Sequence, residues 1–204
     1  MSLFKKQLLI FLILSIFSLT VNHQYLILEA RSIGLFGDEF YSNYLNILGP
    51  NDFVKKLSEI KTTFNNNLIP FLLGKIGEIP YGKTLQVLLY YIPQKDNSNH
   101  WCDYSLTKDI FEVIKINSNL NREYTTFILV DQGKFSFSQK AFNVQKRKGG
   151  GIIIIADDDD LNKVQNINIK DNSIRIPNII VPQFYGNLMK SFLIEIIQNI
   201  ILLL

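Results

Sequence analysis

The stretch Phe127 to Asp160, FILVDQGKFSFSQKAFNVQKRKGGGIIIIADDDD, decides the fold class. Thr126 to Val130 is an apolar, β-branched run that ends in the turn formers Asp131-Gln132-Gly133, so it reads as a strand with a defined stop. Ser136 stands three residues before Gln139, the spacing of a capping box, and a helix is expected to start there. Phe137, Ala141 and Val144 recur at i, i+4 and i+7 and give that helix one buried face. Lys146, Arg147 and Lys148 fall in its last turn, where positive charge suits the helix dipole, and Gly149 is expected to supply the left-handed cap. Ile152 to Ile155 follow without a polar interruption, the pattern of a strand covered on both faces. One complete β-α-β unit results, with its two strands parallel and close neighbours. The fold class is therefore mixed α/β.

Working outward, the ends carry a different signal. Lys5 and Lys6 precede an apolar run of about a dozen residues that closes near Thr20, the layout of a secretory signal peptide. The run is shorter than the roughly 20 residues that cross a bilayer, which favours a cleaved signal over residues 1–22 above an uncleaved signal anchor. The remaining 182 or so residues suffice for one domain with its own core. A formal charge of +3 on scattered basic residues gives no footprint for nucleic acid. The sole cysteine, Cys102, excludes an intrachain disulfide; it is either a small buried apolar residue or a thiol open to a partner chain. At the other end, Leu188, Phe192, Ile196 and Ile200 follow helical spacing with Lys190, Glu195 and Gln198 between them, which predicts an amphipathic or buried terminal helix over Tyr185 to Leu204 rather than a membrane span.

Between these segments the chain alternates strand and loop signals. Tyr25 to Glu29 reads as a strand, and the glycine- and aromatic-rich Gly34 to Pro50 as a loop. Asp52 is placed to cap a short helix with Phe53, Leu57 and Ile60 inward. Lys61 to Asn67 reads as loop, Leu72 to Gly82 as turn-rich, Leu85 to Ile92 as strand, and Asp96 to Asn99 as polar loop. Thr107 is expected to cap a helix that carries Ile110, Phe111 and Ile114 inward. After the acidic loop, Val164 to Ile169 suits a short strand and Arg175 to Pro182 a further one, with Gln183 to Gly186 breaking before the last helix.

The block Ile128 to Gln145, followed by Gly149-Gly-Gly-Ile-Ile-Ile-Ile-Ala-Asp157, resembles the protease-associated (PA) domain family. That family's core runs approximately as an apolar strand, Arg-Gly-x-Cys-x-Phe, Lys-Ala-x-Asn-Ala-Gln, a Gly-Ala pair and an apolar strand. Ile176-Pro-Asn-Ile-Ile-Val181 with Gly186 is similar to its later Ile-Pro segment and helix-opening glycine. Gly74-Lys-Ile-Gly77 and Pro80-Tyr-Gly82 look most like the luminal N-terminal PA domain of vacuolar sorting receptors. The resemblance spans most of residues 23–204. It implies a PA-type domain, with a β-sandwich or open, barrel-like sheet flanked by helices. Two positions depart from the family pattern: Phe135 stands at the cysteine and Gln132 at the arginine. An arginine contact to cargo is therefore not carried over, and Gln132 offers a peptide backbone hydrogen bonds without charge.

Several tempting sites resolve into structural features. Asp157 to Asp160 lacks EF-hand spacing and reads as a solvated loop before it reads as a weak cation site. Lys148-Gly-Gly-Gly151 follows a helix and precedes a strand, the reverse of a phosphate-binding loop. His100-Trp101-Cys102-Asp103 gathers reactive types with no hydrolase signature around them, and His23 lies beside the expected cleavage site. Neither a cofactor nor a metal is indicated. The binding candidates are the turn Asp131, Gln132, Gly133 and Lys134 and the loop Pro80, Tyr81 and Gly82, because loops beyond strand ends carry contacts on a rigid scaffold. The expectation is a non-catalytic domain of the secretory pathway, luminal or secreted, that binds protein or peptide cargo. The competing expectation is a PA segment of a larger membrane protease or RING-type ubiquitin ligase.

Overall fold

The computed structural model describes residues 26–33, 42–60, 68–73, 84–91, 125–133, 135–164 and 173–201. Along them run β1 (Leu26–Ile33), β2 (Ser42–Gly49), α1 (Asn51–Ile60), β3 (Leu68–Pro70), β4 (Leu72–Leu73), β5 (Thr84–Tyr91) and β6 (Thr125–Asp131). Then come α2 (Phe137–Lys146), β7 (Gly151–Ile155), a 3-10 turn (Leu161–Lys163), β8 (Asn178–Val181) and α3 (Gln183–Ile201). The expected crossover forms: β6 and β7 are adjacent and parallel, with Phe127 opposite Gly151 and Asp131 opposite Ile155.

The strands make one mixed sheet in the order β3-β2-β1-β5-β6-β7-β8-β4. Strands β5 to β8 are mutually parallel, whereas β1, β2 and β3 pair antiparallel on one side. Only Phe71 separates β3 from β4, yet β3 pairs with β2 at one end and β4 with β8 at the other. A single bent segment thus ties both ends of the sheet, giving a nearly closed, barrel-like sheet of seven strands when β3 and β4 count as one. Closure satisfies edge backbone groups that an open sheet would leave exposed.

Alternation along the strands builds two cores. Phe127, Leu129, Ile153, Ile155 and Ile179 face one way and bury against Phe53 and Leu57 of α1 and Met189 and Leu193 of α3. Ile128, Val130, Ile152, Ile154 and Ile180 face the other way onto Phe137, Ala141 and Val144 of α2. Strand β7 is buried along its whole length, as its unbroken isoleucines require, and each such side chain is worth roughly 2–3 kcal/mol. Helices α1 and α3 also meet each other: the Phe53 and Phe192 rings lie 4.6 Å apart, and Lys56 approaches Glu195 at 3.9 Å.

The end of α2 corrects the expectation of a glycine cap. Ser136 caps the start as its spacing predicts, its hydroxyl accepting from Gln139 N at 3.2 Å. At the far end the left-handed residue is Lys148, with φ of 64°, and not Gly149. Lys148 N donates to Gln145 O at 2.9 Å and Gly149 N to Val144 O at 3.0 Å, which is the Schellman pairing. The glycines serve close approach instead. A Cβ on Gly149 would lie 2.4 Å from Val144 Cγ1, one on Gly150 2.3 Å from Thr125 Cγ2, and one on Gly151 2.2 Å from the Phe127 ring. Because a β-carbon is strained in the left-handed region, Lys148→Gly is expected to raise stability by about 0.5–1 kcal/mol, measured by urea denaturation with an unchanged m-value.

Other expectations shift for local reasons. Strand β2 lies inside the expected loop 34–50; its Leu45 and Ile47 are buried while Leu48 is exposed, a period-2 pattern masked by surrounding turn formers. Strands β3 and β4 occupy stretches read as turn-rich or left unassigned. Helix α1 begins at Asn51, so Asp52 falls in its first turn, and Pro50 O accepts the first amides, from Phe53 at 3.0 Å and Val54 at 3.1 Å. Ile60, expected inward, is 42% exposed. Helix α3 starts at Gln183 and takes Gly186 into its first turns, where a break was expected. A Cβ on Gly186 would sit 2.5 Å from Ile155 Cγ2, so this glycine lets α3 lie against the end of β7. Among the α3 side chains whose burial is described, Met189 and Leu193 are buried deepest, with Leu188 and Phe192 packed partly. Val164 follows a 3-10 turn, and the rest of the expected strand 164–169 lies outside the described residues. So do the expected signal segment, His23, the loop Asp96 to Asn99, the segment His100 to Asp103 and the helix expected after Thr107.

Candidate functional site

The ends of β6, β7 and β8 converge on one rim, as the C-terminal ends of parallel strands do in α/β sheets. Backbone bonds knit it together. Gln132 N donates to Ile155 O at 3.0 Å, Ala156 N to Val181 O at 2.9 Å, and Gln183 N to Asp158 O at 3.3 Å. Each strand end is thus tied to the next before any side chain contributes.

The turn after β6 is held from beneath. Lys140 of α2 is fully buried, and its Nζ donates to the carbonyls of Asp131 and Gln132. A cation in the first turns of a helix opposes the helix dipole; here the two carbonyls supply the compensation. Gln132 is partly exposed, and its Oε1 accepts from Asp157 N at 3.1 Å. That bond commits the carbonyl side of its amide to the fold and leaves Nε2 as the group it can offer a ligand. Gly133 adopts φ of 48°, a conformation that suits glycine. Phe135, at the position where the resembled family has cysteine, is 41% exposed.

Asp131 anchors the rim to α3. Lys190 Nζ lies 2.8 Å from its Oδ1 and 2.7 Å from its Oδ2, and Tyr91 OH donates to Oδ2 at 3.4 Å. Lys190 Nζ also lies 5.2 Å from the centroid of the Tyr91 ring, within cation–π range. Burial pulls the Lys190 ammonium down, but the hydrogen bond and charge of Asp131, aided by Tyr91, outweigh it and hold the group above its ordinary value. Burial, followed by the charge of Asp131, pushes the Tyr91 phenol up. Both folded values are raised, so the stability they confer is complete below their unfolded values and is lost as pH rises through the folded ones. Lys190→Met is therefore expected to cost about 1–2 kcal/mol near neutral pH, between an exposed and a buried pair. In a pH series of thermal melts the wild-type advantage should shrink at alkaline pH, as Lys190 loses its proton.

Three of the four carboxylates of the acidic loop, Asp158, Asp159 and Asp160, are spent on structure. Asp158 Oδ1 accepts from Asp160 N at 2.9 Å, and Asp160 Oδ1 accepts from Asn162 N at 3.0 Å. Lys163 Nζ pairs with Asp158 at 3.2 Å; the Asp160 amide and Lys163 hold the Asp158 carboxyl below its ordinary value. Asp159 does something less local. Its Oδ1 accepts from Phe184 N at 2.6 Å, the bond an N-cap side chain makes to the second helical residue. Pro182 precedes α3 and has no side-chain acceptor, so the cap comes from another loop. Among the described residues no group of three or more metal-ligating side chains gathers.

Beside this cap an open groove of about 370 Å³ is lined by Asp159, Gln183, Phe184, Asn187, Leu188 and Ser191. Phe184 is 47% exposed and meets Tyr185 edge-on at 5.3 Å and 78°. The groove was missed in the sequence, although the aromatic pair Phe184-Tyr185, one residue beyond Pro182, was a usable signal. Of the sequence-predicted site residues, Asp131, Gln132 and Gly133 sit together on this rim; Lys134, Pro80, Tyr81 and Gly82 lie outside the described residues. At the opposite end of α2, Gln145 holds the segment before β8, donating to Ser173 O at 2.8 Å and accepting from Arg175 N at 2.5 Å and Ile176 N at 3.2 Å. Among the described residues no helix is long and apolar enough to cross a membrane. The chain matches no protein-family model and no curated protein.

Proposed function

We propose that this chain is a non-catalytic, peptide-binding domain of the PA type that acts in the lumen of the secretory pathway, in the manner of a sorting-receptor module. The observation that carries the reading is the division of labour on the rim. Lys140, Asp159 and the side-chain carbonyl of Gln132 are consumed in fixing the rim, while Phe135 before α2 and Phe184 at the start of α3 are left exposed beside it. A pre-set surface with aromatic anchors binds without a large ordering cost, and anchors of this kind carry most of the energy in protein recognition. The spending of Lys140 and Gln145 on the scaffold also gives two positions of the resembled Lys-Ala-x-Asn-Ala-Gln segment a physical reason.

The test is an array of extended peptides of mixed charge, drawn from luminal hydrolases and probed with the full chain. Binding to a subset is expected, and the double variant Phe135→Ser, Phe184→Ser should weaken it at least about ten-fold. An array on which no peptide binds, or binding indifferent to both substitutions, overturns the proposal.

A further inference from the structure

The groove on α3 has a chemical character that narrows its occupant, and the inference rests on the peptide-binding reading above. Its lining offers two apolar side chains, Phe184 and Leu188, together with the carboxamides of Gln183 and Asn187 and the hydroxyl of Ser191. Such a mixture suits an extended peptide: amides and hydroxyls pair with backbone groups, and apolar patches take alternate side chains. The loop that supplies Asp159 to the groove also carries Asp157, Asp158 and Asp160, and that loop and its 3-10 turn hold four carboxylates to one ammonium, Lys163, which pairs with Asp158 and Asp160. Lys190, the cation of α3 nearest the groove in sequence, does not line it and is paired with Asp131. The groove thus has a partly apolar lining beside a net negative loop, of which Asp159 itself lines the groove.

We infer that this groove takes an extended peptide segment with basic residues flanking an apolar one. A lysine or arginine side chain would reach the rim carboxylates, and the apolar residue would cover Phe184. Charge complementarity of this kind speeds encounter and selects the partner. Asp157 is the carboxylate of this loop whose removal changes the charge without touching a structural bond. It is exposed, and among the described residues only its backbone N–H is engaged, to Gln132. Asp159, by contrast, caps α3 and would confound the test.

The probe is a fluorescent capped hexapeptide with lysine at its second and fourth positions and leucine at its third, compared with its glutamate counterpart by anisotropy on the full chain. The basic peptide should bind at least about ten-fold more tightly, and raising salt from about 0.05 to 0.5 M should erase most of that difference. Asp157→Asn should weaken basic-peptide binding about two- to three-fold, and Phe184→Ser about ten-fold, each with a circular-dichroism melt close to wild type. Equal binding of the two peptides, no binding of the basic one, or indifference to both substitutions overturns the inference. The array separates this failure from that of the broader reading: array binders without basic residues sink the cationic preference alone, whereas an empty array sinks both.

Discussion

Gly151→Ala is expected to destabilise the chain by about 3 kcal/mol, the upper part of the range for overpacking a filled core, and to lower the melting temperature by about 6–12 °C. An added Cβ would lie 2.2 Å, 2.3 Å and 2.6 Å from three atoms of the Phe127 ring. Phe127 is fully buried and sits directly across the ladder from Gly151, so neither partner can retreat without moving β6 or β7. Removing a glycine from the unfolded chain works the other way, by roughly 0.5–1 kcal/mol, and is outweighed. The mechanism makes a second forecast that a general backbone effect would not. Trimming the ring with Phe127→Leu should cost stability by itself, yet in the Gly151→Ala background it should recover part of the loss. The coupling in a double-mutant cycle by urea denaturation should reach about 1 kcal/mol or more. Additive single effects would show that the contact is not the cause.

The same glycines mark how far the sequence can be read. Ser136, Phe137, Ala141 and Val144 announced α2 because a cap and a buried stripe are local patterns, and the isoleucines of β7 announced a strand covered on both faces. What Gly149 to Gly151 were for was not local. A helix cap and a close approach both ask for glycine, and only the positions of Val144, Thr125 and Phe127 tell them apart. The left-handed role fell to Lys148, which its side chain gives no reason to expect. Sheet closure was illegible for a related reason: β3 and β4 are three and two residues long, and their pairing depends on β2 and β8, distant in the chain. The rim was half legible. Asp131, Gln132 and Gly133 stood out as a turn beyond a strand, but the hold of Lys140 from below and the cap that Asp159 lends to α3 join residues whose separation in sequence hides them. Pro182 was the missed clue, since a helix that begins just after proline must find its capping acceptor elsewhere.

Lys140→Met should have the largest effect on the rim itself. The substitution keeps most of the side chain's length and apolar stem while removing the three donors of the ammonium. The carbonyls of Asp131 and Gln132 then lose the partner that now binds both, and the side chain is fully buried, so water does not readily replace it. Each unsatisfied buried acceptor costs about 1–3 kcal/mol. Eliminating the burial of a charge offsets part of this, which leaves an expected net loss of about 2–4 kcal/mol. The loss should be concentrated where the bond acts. Amide exchange at Gln132, whose N–H reaches Ile155 O, and at Asp157, whose N–H reaches Gln132 Oε1, should accelerate beyond what the global destabilisation explains, because both bonds rely on the turn that Lys140 holds. Amides of β1 and β2, on the far side of the sheet, should follow only the global change. If the fully folded variant showed the same protection at Gln132 as the wild type, the turn would be held by its own backbone, and the rim's rigidity would need another source. If protection falls there first, the rim owes its fixed shape to one buried lysine, and peptide binding on the array should weaken with it, even under conditions where the melting curve shows the variant folded.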